Sequence, residues 1–179
     1  MKLLTRFLTL LFLLGSAAVA ADRPNVLVIM TDDQGSLDLG VYGAEDLHTP
    51  HLDALANRGV RFDQFYVGSA VCSPSRASLL TGKSPQGADL ENNAPNAQGH
   101  KGLPPDQVTM AEMLQAEGYA TAHVGKWHLG DAAPLRPDDQ GFDYSFGHYQ
   151  GCIDNYSHFF YWVPPNRHDL WENGVEIFE

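Results

Sequence analysis

Cysteine is scarce in this chain: 179 residues hold only Cys72 and Cys152. Two cysteines allow one disulfide at most, so no cystine framework can stand in for a hydrophobic core. Positive charge is scarce as well, with 11 Lys and Arg against 22 Asp and Glu and a net charge of −11. That balance excludes nucleic acid and anionic membrane surfaces as general partners. Long apolar runs are missing beyond the first segment, and the run at residues 8–14 is too short to span a bilayer. No internal repeat is present, which argues against a solenoid or propeller.

What the chain does have at its start is an export signal. Lys2 and Arg6 form a charged lead, residues 8–14 an apolar stretch, and Ala18-Val19-Ala20 an A-x-A cleavage site. Residues 1–20 are therefore expected to be a signal peptide cut after Ala20. Residues 21–179 are then one periplasmic or extracellular domain with no stable membrane association. Cleavage removes Lys2 and Arg6 but no acidic residue, so the mature chain is more acidic still. An anionic substrate must then be held by a few placed cations, and Arg76, Lys83 and Lys126 are the candidates.

Residues 25–30, Asn-Val-Leu-Val-Ile-Met, read as a buried parallel strand, with Asp32-Asp33 at its end. Thr49-Pro50 opens a helix with Leu52, Leu55 and Ala56 on one face and Gly59 as its stop. Residues 60–67 read as a second strand. Ser73 is a good N-cap with Pro74 in the first helical position, predicting a helix that ends near Gly82. Residues 83–107, rich in Gly, Pro, Asn and Gln, predict an irregular loop. Thr109 and Glu112 form a capping box for a helix that stops at Gly118. Residues 119–124 read as a third strand and residues 174–179 as a last one. This order predicts an α/β fold, a largely parallel central sheet flanked by helices. In such sheets functional residues collect beyond the strand C-termini.

Three polar clusters lie at those places. Cys72-Ser73-Pro74-Ser75-Arg76 sets a cysteine beside a helix N-terminus, where N–H groups and the macrodipole favour anions, with Arg76 in the same turn. The site suits a nucleophile acting on an anionic ester, and a buried cysteine or a Cys72–Cys152 disulfide fits the same residues. Asp32 and Asp33 repel each other unless a cation or hydrogen bonds intervene, and oxygen ligands suit Ca²⁺ or Mg²⁺. A turn Asp followed by a helix cap is the plainer reading of that pair. Lys126 and His128 alternate along extended backbone and so point to one side. There they could hold an anion and move a proton, or be a surface Lys and a packing His. His148, His158 and His168 lack metal-ligand spacing and read as loop or pocket residues.

Together the clusters resemble the type I, formylglycine-dependent sulfatases, arylsulfatase-like enzymes of an alkaline-phosphatase-like fold. The resemblance is carried by Cys72-Ser-Pro-Ser-Arg76, by Asp32-Asp33 after an apolar run, and by Gly125-Lys126-Trp127-His128-Leu129-Gly130. Thr49-Pro50-His51-Leu52-Asp53-Ala54-Leu55-Ala56, Arg76-Ala-Ser-Leu-Leu-Thr-Gly82, Leu103-Pro-Pro-Asp106 and Gly141-Phe142-Asp143 also match. The resemblance implies that a separate maturation enzyme oxidises Cys72 to formylglycine. The hydrated aldehyde attacks sulfur, the alcohol leaves, and the second hydroxyl expels sulfate. It further implies that Asp32 and Asp33 bind Ca²⁺, which also contacts the modified Cys72. Arg76 would steady the formylglycine, Lys126 hold a sulfate oxygen and His128 contact the formylglycine hydroxyl.

Members of that family run to several hundred residues, so residues 21–179 are expected to be the N-terminal portion of a truncated catalytic domain. The other metal ligands, a second lysine and the leaving-group acid would lie past residue 179. The expected substrate is a sulfate ester, of sulfated carbohydrate or an aryl alcohol. Tyr149, Tyr156, His158 and Trp162 are the candidates for stacking on sugar rings. The alternatives are a phosphonate or phosphate monoester hydrolase on the same scaffold, and a non-catalytic secreted fragment with a Cys72–Cys152 disulfide.

Overall fold

The computed structural model describes residues 23–96, 101–162 and 164–178. The expected signal peptide, residues 1–20, lies outside the described residues. The chain divides into two compact units, residues 1–62 and 63–179.

In the first unit, helix α1 spans Pro50–Arg58, with proline at its start, Asp53 in its first turn and Gly59 as C-cap. Thr49 is the N-cap, but its hydroxyl ties down a neighbouring turn. It accepts from the Gly40 N–H at 2.9 Å and donates to Asp53 at 3.1 Å. Asp53 also accepts from the Val41 N–H at 2.8 Å. The 3-10 turn Gly40–Tyr42 therefore sits on the helix start. A Cβ at Gly40 would come within 2.6 Å of Asp53 Oδ2, so a larger residue there would displace the Asp53 carboxylate. The Arg61 guanidinium lies over the Tyr42 ring at 5.5 Å.

Two sequence expectations fail at and around this unit. Residues 25–30 form no strand, and Leu27 is 84% exposed. Residues 60–67 form none either, with Val60 80% exposed. Leu52 and Leu55, set by the sequence on one face of α1, are exposed. Apolar β-branched residues favour strands, but a strand exists only through its ladder, and burial only through a facing layer. Neither run forms a ladder among the described residues.

The second unit holds helices α2, Cys72–Thr81, and α3, Met110–Ala116. The capping box of α3 is formed: the Thr109 N–H donates to Glu112 Oε2 at 2.7 Å and the Glu112 N–H to Thr109 Oγ1 at 3.1 Å. Strands β1, Ala122–Lys126, and β2, Tyr144–His148, pair in parallel. Short strands β3, Phe159–Phe160, and β4, Arg167–His168, form a separate antiparallel pair. Strands β5, Trp171–Glu172, and β6, Val175–Glu176, extend the main sheet antiparallel, in the order β1-β2-β5-β6. The unit is thus α/β with a mixed sheet, parallel at the β1·β2 pair. Asn173 and Gly174, both at positive φ, make the tight turn between β5 and β6.

Strand β1 starts three residues later than the sequence predicts. Thr121 is held instead by Asp143 and Gly141: its N–H donates to Asp143 Oδ2 at 2.9 Å and its hydroxyl to the Gly141 carbonyl at 2.6 Å. The ladder begins where Tyr144 comes alongside Ala122. Its close register needs glycine at 147, since a Cβ there would lie 2.0 Å from the Gly125 carbonyl oxygen.

The core gathers Ala77, Ala88, Leu103, Trp127, Leu129 and Tyr149. Full burial of Leu103 and Leu129 contributes roughly 1.5–3 kcal/mol each. The loop expected over residues 83–107 has no helix or strand among its described residues, yet it supplies Ala88, Ala94 and Leu103 to the interior. No helix among the described residues is long and apolar enough to cross a membrane.

Candidate active site

Helix α2 begins earlier than its sequence suggests. Its N-cap is Val71 and Cys72 is its first residue, so Ser73 is not the cap and Pro74 stands third. The reason is that the Ser73 hydroxyl is committed to tertiary bonds. It donates to the His128 carbonyl at 2.6 Å and accepts from the Ala94 N–H at 2.9 Å. Two N–H groups at the helix start are occupied too. Ser73 donates to Asn93 Oδ1 at 3.0 Å, Ser75 to the Val71 carbonyl at 3.3 Å, and Pro74 has no N–H. The expected row of N–H groups facing an anion is therefore largely used internally. Positive character at Cys72 comes from the macrodipole and from placed cations.

Lys126, the last residue of β1, supplies a cation at the cysteine: its Nζ donates to Cys72 Sγ at 3.2 Å. Arg76 donates from its guanidinium to the Lys126 carbonyl at 2.5 Å. A turn of helix and the C-terminal end of a strand, some fifty residues apart, are thus joined by two bonds. Cys72, Arg76 and Lys126 come together as one group.

His128 takes a different route. Its φ is +52°, so the extended alternation that would set it beside Lys126 is broken. The turn follows from backbone pairing that runs past β1: Trp127 donates to the His148 carbonyl at 2.9 Å and His128 to the Tyr149 carbonyl at 3.2 Å. The His128 ring is buried, with Nε2 3.2 Å from the Ala94 carbonyl. A Cβ on Gly151 would lie 2.6 Å from His128 Cε1, so the ring packs against that glycine. His128 reaches α2 through its own carbonyl, by way of Ser73.

Two residues at this site carried no sequence signal beyond their type. His123 lies edge-on to Trp127 and Phe142, at 5.2 and 5.5 Å between ring centres. Burial, helped by the Arg76 charge, pushes it down to about 4, and it hydrogen-bonds the Lys126 backbone. Cys152 is pushed up by burial, with the Lys126 charge pulling the other way and Cys72 adding to the rise. Both cysteines are free, so the alternative Cys72–Cys152 disulfide is not formed.

Asp32 and Asp33 are exposed residues of the first unit, and Asp33 has φ +54°. Among the described residues no group of three His, Cys, Asp or Glu side chains comes together that could hold a metal ion. Of the expected sugar-stacking residues, Tyr156 and Trp162 are exposed. Tyr149 is not available: it is buried, stacked on Trp171 at 5.1 Å and covered by Arg136.

The family model described as Sulfatase matches residues 24–170. Arylsulfatase G of Mus musculus is 42% identical over 165 residues, covering 88% of this chain and 31% of that protein. Arylsulfatase A of Bos taurus is 44% identical over 153 residues, covering 82% of this chain and 30% of that protein. Among solved structures, the PsFucS1 sulfatase from Pseudoalteromonas sp. superposes with a TM-score of 0.62 at 34% identity, covering 84% of this chain and 29% of that one. A protein solved in complex with its substrate D-glucosamine-2-N,6-O-disulfate superposes with a TM-score of 0.66 at 36% identity, covering 88% and 28%. The chain spans less than a third of the length of these relatives. The family match runs through Asp32, Asp33, Cys72, Arg76, Lys126 and His128, and the chain belongs to the sulfatase family.

Proposed function

We propose that this chain carries the nucleophile-bearing part of an exported sulfate-ester hydrolase, with Cys72 as the residue a maturation enzyme converts to formylglycine. The observation that supports it most is the 3.2 Å contact between Lys126 Nζ and Cys72 Sγ. It places a cation against the nucleophile position of a strongly acidic chain. Formylglycine, when present, supplies a hydrated aldehyde oxygen as nucleophile. The chain's own residues do the rest. Lys126 orients one sulfate oxygen and offsets charge that builds up during transfer. Arg76, bonded to the Lys126 carbonyl, keeps that lysine at the helix start. His128 would contact the nucleophile's hydroxyl.

Asp32 and Asp33 would hold Ca²⁺. Their oxygens fit a hard cation in type, but two carboxylates are few against the roughly six to eight oxygens that Ca²⁺ takes. The remaining ligands would come from outside residues 1–179. Sulfated carbohydrate is the favoured substrate class. A structural relative is solved with a glucosamine disulfate substrate, and the exposed Tyr156 and Trp162 offer rings for sugar faces.

Peptide mass spectrometry over residues 61–83, after expression with a maturation enzyme, should show the aldehyde or its hydrate at Cys72. In a full-length protein of its relatives' length, Cys72→Ala should abolish turnover. Only unmodified or disulfide-linked Cys72 under those conditions would remove the reading. Comparing sulfate and phosphate esters of one aryl alcohol decides between a sulfatase and a phosphomonoester or phosphonate hydrolase. Asp32→Asn and Asp33→Asn should lower Ca²⁺ content and activity together; unchanged Ca²⁺ stoichiometry would dismiss the metal assignment.

A further inference from the structure

We infer that Ser73 is a positioning residue for the nucleophile, acting as the hub of a buried clamp between the start of α2, the loop at Asn93 and Ala94, and His128. The inference rests on the functional reading of Cys72 above. Three bonds close a ring. The Ser73 hydroxyl donates to the His128 carbonyl at 2.6 Å. The Ala94 N–H donates to the Ser73 hydroxyl at 2.9 Å. The Ala94 carbonyl lies 3.2 Å from His128 Nε2. A fourth bond, from the Ser73 N–H to Asn93 Oδ1 at 3.0 Å, ties the same loop to the helix backbone.

The geometry explains why a hydroxyl stands here. Ser73, Ala94 and His128 are all buried, where an unmet N–H or carbonyl is costly. Ser73 follows Cys72 directly in the first turn of α2, so where its hydroxyl is anchored fixes where the Cys72 side chain leaves the helix. Val71, the N-cap, offers no side-chain acceptor, and Asn93 takes that part from across the fold. Lys126 sets charge at Cys72, whereas the clamp sets its position relative to both Lys126 and His128. A misplacement on the order of 1 Å can cost about 100-fold in rate. A displaced nucleophile weakens the attack step more than ground-state binding of the ester.

The test uses the full-length enzyme and three variants, Ser73→Ala, Ser73→Thr and Asn93→Ala. Formylglycine occupancy is measured by mass spectrometry for each and used to normalise kcat, because Ser73 lies inside the maturation motif. Ser73→Ala should lower normalised kcat by about 10- to 100-fold with KM within about threefold. Ser73→Thr, which keeps the hydroxyl, should restore kcat to within about threefold of the parent. Asn93→Ala, at an exposed residue outside the motif, should lower kcat about threefold and covers the case where Ser73→Ala does not fold. The inference is overturned if a folded Ser73→Ala keeps its normalised kcat, or if Ser73→Thr is as impaired as Ser73→Ala. It is also overturned if Ser73→Ala does not fold and Asn93→Ala is unimpaired. A parent enzyme with unmodified Cys72 and no turnover overturns the functional reading and this inference with it. A parent that turns over normally while Ser73→Ala matches it overturns the inference alone.

Discussion

Residues 25–30 and residues 122–126 each lead into a chemically loaded segment, Asp32-Asp33 in the first unit and Trp127-His128 in the second. The first run is the more apolar, Asn-Val-Leu-Val-Ile-Met against Ala-His-Val-Gly-Lys. Yet only the second forms a strand. It has β2 alongside in parallel register and Trp127 anchored in a core just past its end. Leu27 of the first run is 84% exposed while Trp127 is 1% exposed. Sequence propensity therefore ranks the two runs in the wrong order. What decides is whether a ladder and a facing layer are available, since an apolar run alone satisfies neither its backbone groups nor its side chains.

That contrast can be pressed by substitution. Trp127→Ala removes the largest fully buried side chain of the second unit and should cost about 3–5 kcal/mol, read as a fall in the denaturant midpoint at unchanged m-value. Lys126→Ala leaves the core alone and acts on chemistry. In the full-length enzyme it should lower kcat about 100- to 1,000-fold, the range for losing one preorganised charge contact, with thermal stability little changed. If Lys126→Ala instead destabilises as much as Trp127→Ala, the lysine is a packing residue and the site reading fails.

A smaller effect should follow pH. His123 is held down to about 4, first by burial and then by Arg76, from 6.5 in the open chain. Its folded form stays neutral, so the unfolded chain takes up the proton first as pH falls. The stability due to neutral burial is complete above about 6.5 and is lost as pH drops toward 4. The total is on the order of 3 kcal/mol. His123→Leu should flatten unfolding free energy across that window relative to the parent; an unchanged slope would show that carboxylates alone set it. The smallest effect belongs to the first unit. Leu27→Ser should change the stability of this 179-residue chain by less than about 0.5 kcal/mol. A loss comparable with that of Trp127→Ala would mean that residues 25–30 are packed in solution and would erase the contrast between the units.

Where a residue's neighbours in sequence set its conformation, the sequence was sufficient. Pro50 and Gly59 bound α1, Thr109 and Glu112 cap α3, and Gly82 at φ +67° ends α2. The family was legible from motif order, because C-x-P-x-R, the Asp pair and Gly-Lys-Trp-His are short and local. Strand β2 was missed since Tyr144-Ser145-Phe146-Gly147-His148 buries Ser145 while Tyr144 is left partly out, the reverse of an apolar-inward alternation. Its register depends on Gly125 and Gly147 meeting across the pair, which neither segment reveals alone.

By itself the sequence determined the family and the candidate residues: a cysteine at a helix start, an arginine one turn on, a lysine and histidine at a strand end, and a pair of carboxylates. Only the tertiary structure decided their arrangement. It put Lys126 against Cys72, turned the His128 ring toward Ala94, and gave the Ser73 hydroxyl to a carbonyl 55 residues away instead of to its own helix. The physical reason is that caps and turns are closed by bonds within a few residues. A buried hydroxyl, an ammonium or a strand edge takes whichever partner folding brings within about 3 Å, and that partner has no fixed distance along the chain.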